Sequence, residues 1–291
     1  MIRACSPAKI NLTLEIISRR DDGYHFVNTV MQAVTLYETV DVCKNGLDKI
    51  DLKVCGIDID PRHCTTVYRA ADLFFKKTEI QQFGVSINLN KSVPVGAGLA
   101  GGSADAAAVL AALNEISGAR LSVAELCKIG EHIGADVPFC IMGGTAFGTG
   151  TGTKLSPLPK LPDCAIVIAK PDESISTEQA YRLIDEQGGK PKSISTKMLY
   201  AINNADILAV AKLLHNDFDY VITLPKVDTI KQTMIKHGTL GCQMTGSGSA
   251  VFGIFINDDD AKRCYDALKT TYDDVFLCRP ESKGARTSKI K

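Results

Sequence analysis

Apolar Ile10, Leu12, Leu14 and Ile16 alternate with Lys9, Asn11, Thr13 and Glu15, which predicts a first strand with Lys9 and Asn11 together on its polar face. The same period recurs at 85–90. Helical spacing is predicted at 66–77, from Ser103 to Asn114, and from Ser122. There Ser122 and Glu125 form a capping box, and Leu126, Ile129 and Ile133 supply the buried stripe. Gly134 ends that helix, 135–138 form a tight exit, and the glycines of 142–152 suggest a turn between strands. Pro157, Pro159 and Pro162 then divide the chain into an N-terminal domain, 1–156, and a C-terminal domain, 157–291. The second opens on a buried strand at 165–169 and continues with helices near 177–185, 196–215 and 226–237. A strand, glycine turn and strand follow across 241–255, then a helix at 258–271 and a last strand around 275–278. Without a regular βαβ repeat, the expected architecture is α+β in both halves.

The strongest local signal is the junction of the strand at 85–90 with the helix from Ser103. Between them lie Gly96, Gly98, Gly101 and Gly102. Without Cβ atoms their backbone N–H groups can crowd an anion, and the helix points its positive end at the same place, so the junction reads as a phosphate site. Gly96, Gly98 and Gly101 also satisfy G-x-G-x-x-G, but a dinucleotide fold needs a parallel strand after the helix. Here the chain passes through Ser117 and Gly118 straight into the capped helix at Ser122. No Walker A lysine and no protein-kinase H-R-D or D-F-G signature is present.

Composition narrows the setting. The 291 residues are 45% hydrophobic and 23% charged, as in a globular protein with a sizeable core, and 33 basic residues balance 33 acidic ones. No global field recruits nucleic acid or an anionic membrane, so an anionic ligand must be held locally. The ten cysteines contain no CxxC pair and read as reduced core thiols. The first strand starts almost at Met1, leaving no space for a targeting peptide, and no apolar run nears the ~20 residues of a membrane span; the expectation is cytoplasmic. The basic tail 283–291 is expected to be frayed.

Pro94 to Ala107 resembles the phosphate loop of the GHMP kinases, a superfamily of small-molecule kinases. Three further segments extend the resemblance over nearly the whole chain: Pro7 to Leu12 continuing to Arg19–His25, then Gly134 to Phe139, then Met244 to Phe252. The Gly23-Tyr24-His25 and Gly134 to Phe139 segments are most similar to a branch whose alcohol substrate carries a diphosphocytidyl group, in the non-mevalonate route to isoprenoid precursors.

The resemblance implies a two-domain fold with the active site between the domains, and ATP- and Mg²⁺-dependent phosphorylation of an alcohol by direct transfer. Asp136 would be the general base and Lys9 its partner, holding it ionised and stabilising phosphoryl charge. Asn11, Tyr24 and His25 would bind the substrate, with Tyr24 and His25 at the cytosine and Tyr181 stacked on the other face of the base. Pro94, Gly96, Ala97, Gly98, Leu99, Ala100, Gly101, Gly102, Ser103 and Ala104 would cradle ATP. Ser103 is expected as helix N-cap or as a ligand to phosphate or Mg²⁺, and Asp105 as a carboxylate favoured by the helix dipole. Thr245, Gly246, Ser247 and Gly248 would prop the first loop and reach the substrate phosphates. Ala100 and Ala104 replace a usual glycine and serine, and Thr65 replaces an asparagine near the nucleotide. Partners would be ATP and a cytidine diphosphate derivative, in a monomer or homodimer without nucleic acid or membrane. A homoserine- or mevalonate-type kinase and a non-catalytic nucleotide-binding protein are the alternatives.

Overall fold

The alternating N-terminal run becomes the strand Ile2–Arg19 (β1) in the computed structural model, which describes residues 1–47, 49–57, 60–187 and 194–290. A turn at Gly23, φ +86°, leads into His25–Lys44 (β2), antiparallel to β1. Next come Ile50–Cys55 (β3), Thr65–Lys77 (α1) and Val85–Asn90 (β4), with β4 antiparallel to β2 and parallel to β3. Three helices follow, Gly101–Ser117 (α2), Val123–Glu131 (α3) and Val137–Met142 (α4), before Thr145–Thr149 (β5) and Lys154–Leu158 (β6). The chain thus goes from α2 into a second helix, and the Ser122–Glu125 capping box forms as expected.

The later half contains Ala165–Lys170 (β7), Thr177–Gln187 (α5), Ile194–Asn203 (α6), Ile207–Lys212 (α7), His215–Asn216 (β8) and Phe218–Val221 (α8). Pro225–Lys236 (α9), Gly241–Met244 (β9), Val251–Phe255 (β10), Asp258–Lys269 (α10), Asp274–Cys278 (β11) and Arg286–Lys289 (β12) complete it. One sheet runs β12-β1-β2-β4-β3, with β5 on β2, β6 on β5 and β8 parallel to β1; the other runs β11-β7-β10-β9. Strand β6 crosses the expected boundary at 156/157, and β8 and β12 return to the first sheet. Ile10, Leu12, Val30 and Val34 from one sheet and Ile166, Ile168, Phe252 and Ile254 from the other share one buried cluster. Val93, Ala97 and Leu99 of the glycine loop are embedded in it, so the core itself backs the loop.

Several expectations are corrected. The polar face of β1 packs inward: Lys9, Asn11, Thr13 and Glu15 are all buried, and the Glu15 carboxylate accepts the first amides of α6, Ile194 N at 2.8 Å and Ser195 N at 3.0 Å. The helix expected over 196–215 is two helices and a short strand. Ala205 turns left-handed at φ +52°, and the Asp206 carboxylate then caps α7. The exit at 135–138 opens the short helix α4, with Pro138 in its first turn, where its missing N–H costs nothing. The tail is no frayed end: its backbone groups complete the exposed edge of β1, with Ile2 opposite Lys289 and Cys5 opposite Arg286. Lys291 lies outside the described residues. All ten cysteines are free; Cys64, Cys140, Cys164, Cys264 and Cys278 are buried, whereas Cys55 is exposed. No helix among the described residues is long and apolar enough to cross a membrane.

Asp105 is also corrected. Rather than standing in the first turn as a carboxylate favoured by the helix dipole, it lies a turn further in and is buried, and its Oδ2 accepts from Lys91 Nζ at 2.8 Å, while Lys91 also donates to Glu38 Oε1 at 2.7 Å. Burial, reinforced by the Asp105 charge and opposed by Lys91, pushes the Glu38 carboxyl from its ordinary 4.5 up to about 7. A carboxyl raised in the folded state contributes stability that is present below about 4.5 and lost as pH rises through about 7. Glu38→Gln removes this titration. Thermal melts should therefore show the advantage of wild type over Glu38→Gln shrinking from pH 5 to pH 7.5, by roughly the linkage slope. An equal difference at both values would contradict the assignment.

Candidate active site

The positive φ of Gly96 (+64°), Gly98 (+73°) and Ala100 (+62°) curls the glycine loop between β4 and α2. Since Ala100 is the residue before the helix, α2 starts at Gly101, and Ser103 is not its N-cap as expected. The N–H groups of Ser103 and Ala104 both donate to the Ala100 carbonyl, at 3.0 and 2.9 Å. Gly101 and Gly102, in the first turn where amides lack intrahelical acceptors, line the cleft instead. The positive end of a 17-residue helix therefore faces this space.

The second glycine turn packs backbone to backbone against the first. A Cβ on Gly98 would stand 2.1 Å from the Thr245 carbonyl oxygen, and one on Gly246 would stand 3.0 Å from Gly98 Cα. Asn11 secures this contact from β1: its Oδ1 accepts from Gly246 N at 3.0 Å and Thr245 Oγ1 at 3.2 Å, and its Nδ2 donates to Thr29 Oγ1 at 2.8 Å. The polar atoms expected to meet substrate are thus engaged in joining three chain segments.

Lys9 occupies the meeting point. Its side chain is 4% exposed, and its ammonium donates to Asn11 Oδ1 at 2.7 Å and to the Gly98 carbonyl at 2.9 Å. The same nitrogen lies 3.6 Å from Asp136 Oδ2. Asp136 precedes α4 but its carboxylate makes no capping hydrogen bond, so it is not the self-bonded turn residue that its position would otherwise suggest. The side chain is 35% exposed and lines the cleft beside the loop. An ammonium and a carboxylate so placed can hold, orient and deprotonate a hydroxyl near a bound phosphate.

At the other end of the cleft, His25 and Tyr181 stack on each other, centroids 4.5 Å apart and planes at 19°. A base between them would need about 7 Å, two van der Waals separations, so the pair forms one platform rather than two jaws. His25 Nε2 lies 2.7 Å from Asp185 Oδ1, and Arg19 lies 3.3 Å from the other carboxylate oxygen. Asp185 was not read from the sequence, although it stands four residues after Tyr181 and so on the same face of α5. Burial, with the Asp136 charge adding to it, pushes the Tyr181 phenol up to about 12, which keeps it neutral. Tyr24, by contrast, is 68% exposed at the mouth.

Lys9, Asn11, Tyr24, His25, Pro94, the loop 96–102, Asp136, Tyr181 and the turn 246–248 all line one cleft of about 1910 Å³. That exceeds the ~300–1,000 Å³ of a usual single-ligand pocket and leaves room for two ligands end to end. Of the expected site residues, Ala104 and Thr245 are fully buried behind the lining, and Ser103 is half-buried.

The model of the GHMP kinases N terminal domain matches residues 65–144, and that of the GHMP kinases C terminal domain matches 198–274. The chain is 42% identical over 272 residues to a 4-diphosphocytidyl-2-C-methyl-D-erythritol kinase of Caldicellulosiruptor saccharolyticus, covering 93% of each chain. It is similar to a crystal structure of a 4-(cytidine 5'-diphospho)-2C-methyl-D-erythritol kinase, with TM-score 0.80 and 31% identity, covering 97% of this chain and 100% of the other. A homoserine kinase from Cytophaga hutchinsonii shares the fold, with TM-score 0.78 at 18% identity, covering 99% of this chain and 97% of the other.

The loop geometry makes two substitutions opposite in sign. Gly98→Ala combines a left-handed φ, worth ~1–2 kcal/mol for a residue with a Cβ, with overlap on the Thr245 backbone, so a loss above ~2 kcal/mol is expected in denaturant melts. Ala100→Gly relieves the same strain at φ +62° and should be neutral or stabilising by up to ~1 kcal/mol. Destabilisation by Ala100→Gly would contradict this loop geometry.

Proposed function

Since this chain belongs to the 4-diphosphocytidyl-2-C-methyl-D-erythritol kinase family of GHMP kinases, and is thereby a small-molecule kinase, we propose that it transfers the γ-phosphoryl group of ATP to the 2-hydroxyl of 4-diphosphocytidyl-2-C-methyl-D-erythritol. The observation that carries this reading is the Lys9–Asp136 pair, 3.6 Å apart beside the glycine loop in a cleft with room for two ligands. ATP lays its phosphates on the amides of 96–102 and the positive end of α2. The cytidine end of the acceptor lies at Tyr24 and the His25–Tyr181 platform, with Asp185 holding the His25 ring. The acceptor hydroxyl then reaches Asp136, which takes its proton as the oxygen attacks the γ-phosphorus in line and the bond from that phosphorus to the β-γ bridging oxygen breaks, releasing ADP. Lys9, 3.6 Å away, orients Asp136 and offsets the charge gathering on the transferred group. The Asn11 amide fixes Lys9 through the 2.7 Å bond to its ammonium.

Mg²⁺ accompanies the phosphates in this reading. The described residues contain no group of three or more His, Cys, Asp or Glu able to cage a metal. That suits an ion that keeps its own waters and needs only one or two protein oxygens beyond phosphate. Ser103, whose hydroxyl lies 3.7 Å from the position of a Cβ on Gly134, two residues before Asp136, would be the residue to hold it. Held there, such an ion would supply charge neutralisation for the phosphates.

Two measurements test the proposal. Asp136→Asn should fold and bind ATP while losing turnover by about 10² or more, the scale of a general base; near-normal turnover would remove Asp136 from that role. CDP and CMP should compete with the acceptor and not with ATP. Failure of either to compete would remove the cytidine platform from the reading.

A further inference from the structure

Glu38, Lys91 and Asp105 form a charged cluster that the reaction does not consume. Their side chains are 0%, 5% and 2% exposed, and Lys91 Nζ reaches both carboxylates at 2.7 and 2.8 Å. Sets of this kind are costly to bury, and apolar residues of similar volume are often as stable or more so. Stability is therefore a poor reason for it. Among the described residues Asp105 Oδ1 has no hydrogen-bond partner, which adds to the cost.

What distinguishes the cluster is where it attaches. Glu38 Oε2 accepts from Ser92 N at 2.9 Å and Oε1 from Val93 N at 3.2 Å, the amides at which the chain leaves β4 for the glycine loop. Where the loop ends, Glu38 Oε1 lies 3.3 Å from the position of a Cβ on Gly101. Asp105, one turn into α2, is joined to Lys91 at the end of β4. Both ends of the loop thus close on one buried carboxylate and one ammonium. The loop's middle is held separately, by Lys9 at Gly98 and by Ala250 N donating to the Ala97 carbonyl at 3.2 Å.

We propose that Glu38, Lys91 and Asp105 are positioning residues that clamp the two ends of the glycine loop and so set the spacing of the amides that receive the ATP phosphates. The inference rests on the reading of the loop as a nucleotide cradle. Catalysis of phosphoryl transfer is chiefly positioning, and errors of ~1 Å are worth up to ~10² in rate. Releasing the clamp should therefore weaken nucleotide binding without touching the acceptor end of the cleft.

The test compares wild type with Lys91→Met/Asp105→Asn, which keeps side-chain volume and removes two of the charges. Melting temperature, KM for ATP and KM for the acceptor are measured on the full chain. The expected result, in a variant that still melts cooperatively, is a KM for ATP raised about tenfold and an acceptor KM within about twofold. A folded variant whose KM for ATP rises about threefold or less, or whose two KM values rise together, overturns the inference. If the double variant does not melt cooperatively, Asp105→Asn alone is judged by the same limits. ATP titration of wild type separates the two levels: no binding sinks the cradle reading and the clamp with it, whereas binding with unaltered variants sinks the clamp alone.

Discussion

Burying the ammonium of Lys9 where β1, the glycine loop and the start of α4 converge is the constraint on which the site depends. A lysine 4% exposed needs partners for its charge, and it finds the Asn11 amide oxygen, the Gly98 carbonyl and Asp136. Each partner lies on a different segment, so satisfying one charge also fixes the distance between loop and carboxylate. The second glycine turn is drawn in by the same logic, because Asn11 binds Gly246 and Thr245 as well as Lys9. Only glycine at 98 and 246 lets the two turns come this close.

The cleft built on this point has two chemically different ends. Toward α2 it offers backbone amides and a helix terminus, suited to phosphate. Toward α5 it offers the His25–Tyr181 stack and the exposed ring of Tyr24, suited to a flat heterocycle. In the proposed function the first end takes the ATP phosphates and the second takes the cytidine group of the acceptor. The proposed cluster of Glu38, Lys91 and Asp105 adds a third layer, fixing the loop's ends as Lys9 fixes its middle.

Much of this was legible because the signals are local. The glycines at 96–102, the alternation of β1, the Ser122–Glu125 box and the Gly134 to Phe139 segment each lie within a few residues of what they determine. What was missed depends on distant partners. Asp105 looked like a helix-end carboxylate because Glu38, which shares its lysine, lies 53 positions before Lys91. The strand β12 has no apolar period, and it forms because β1 presents an edge to it. Ala100 hides a left-handed turn behind a residue that rarely makes one, which moved the start of α2 and the cap assigned to Ser103. Tyr181 was expected on the opposite face of the base from His25, whereas its ring stacks directly on His25, a contact set by where α5 packs.

The most direct test of the account follows the labelled γ-phosphate of ATP into a panel of acceptors presented to the purified protein. 4-Diphosphocytidyl-2-C-methyl-D-erythritol should take up label with a kcat/KM at least ~10³ above that for homoserine, mevalonate or the same polyol phosphate lacking cytidine, the scale set when buried polar and aromatic groups lose their partner. Comparable transfer to an acceptor without the cytidine group, or no transfer to the diphosphocytidyl compound, would contradict it.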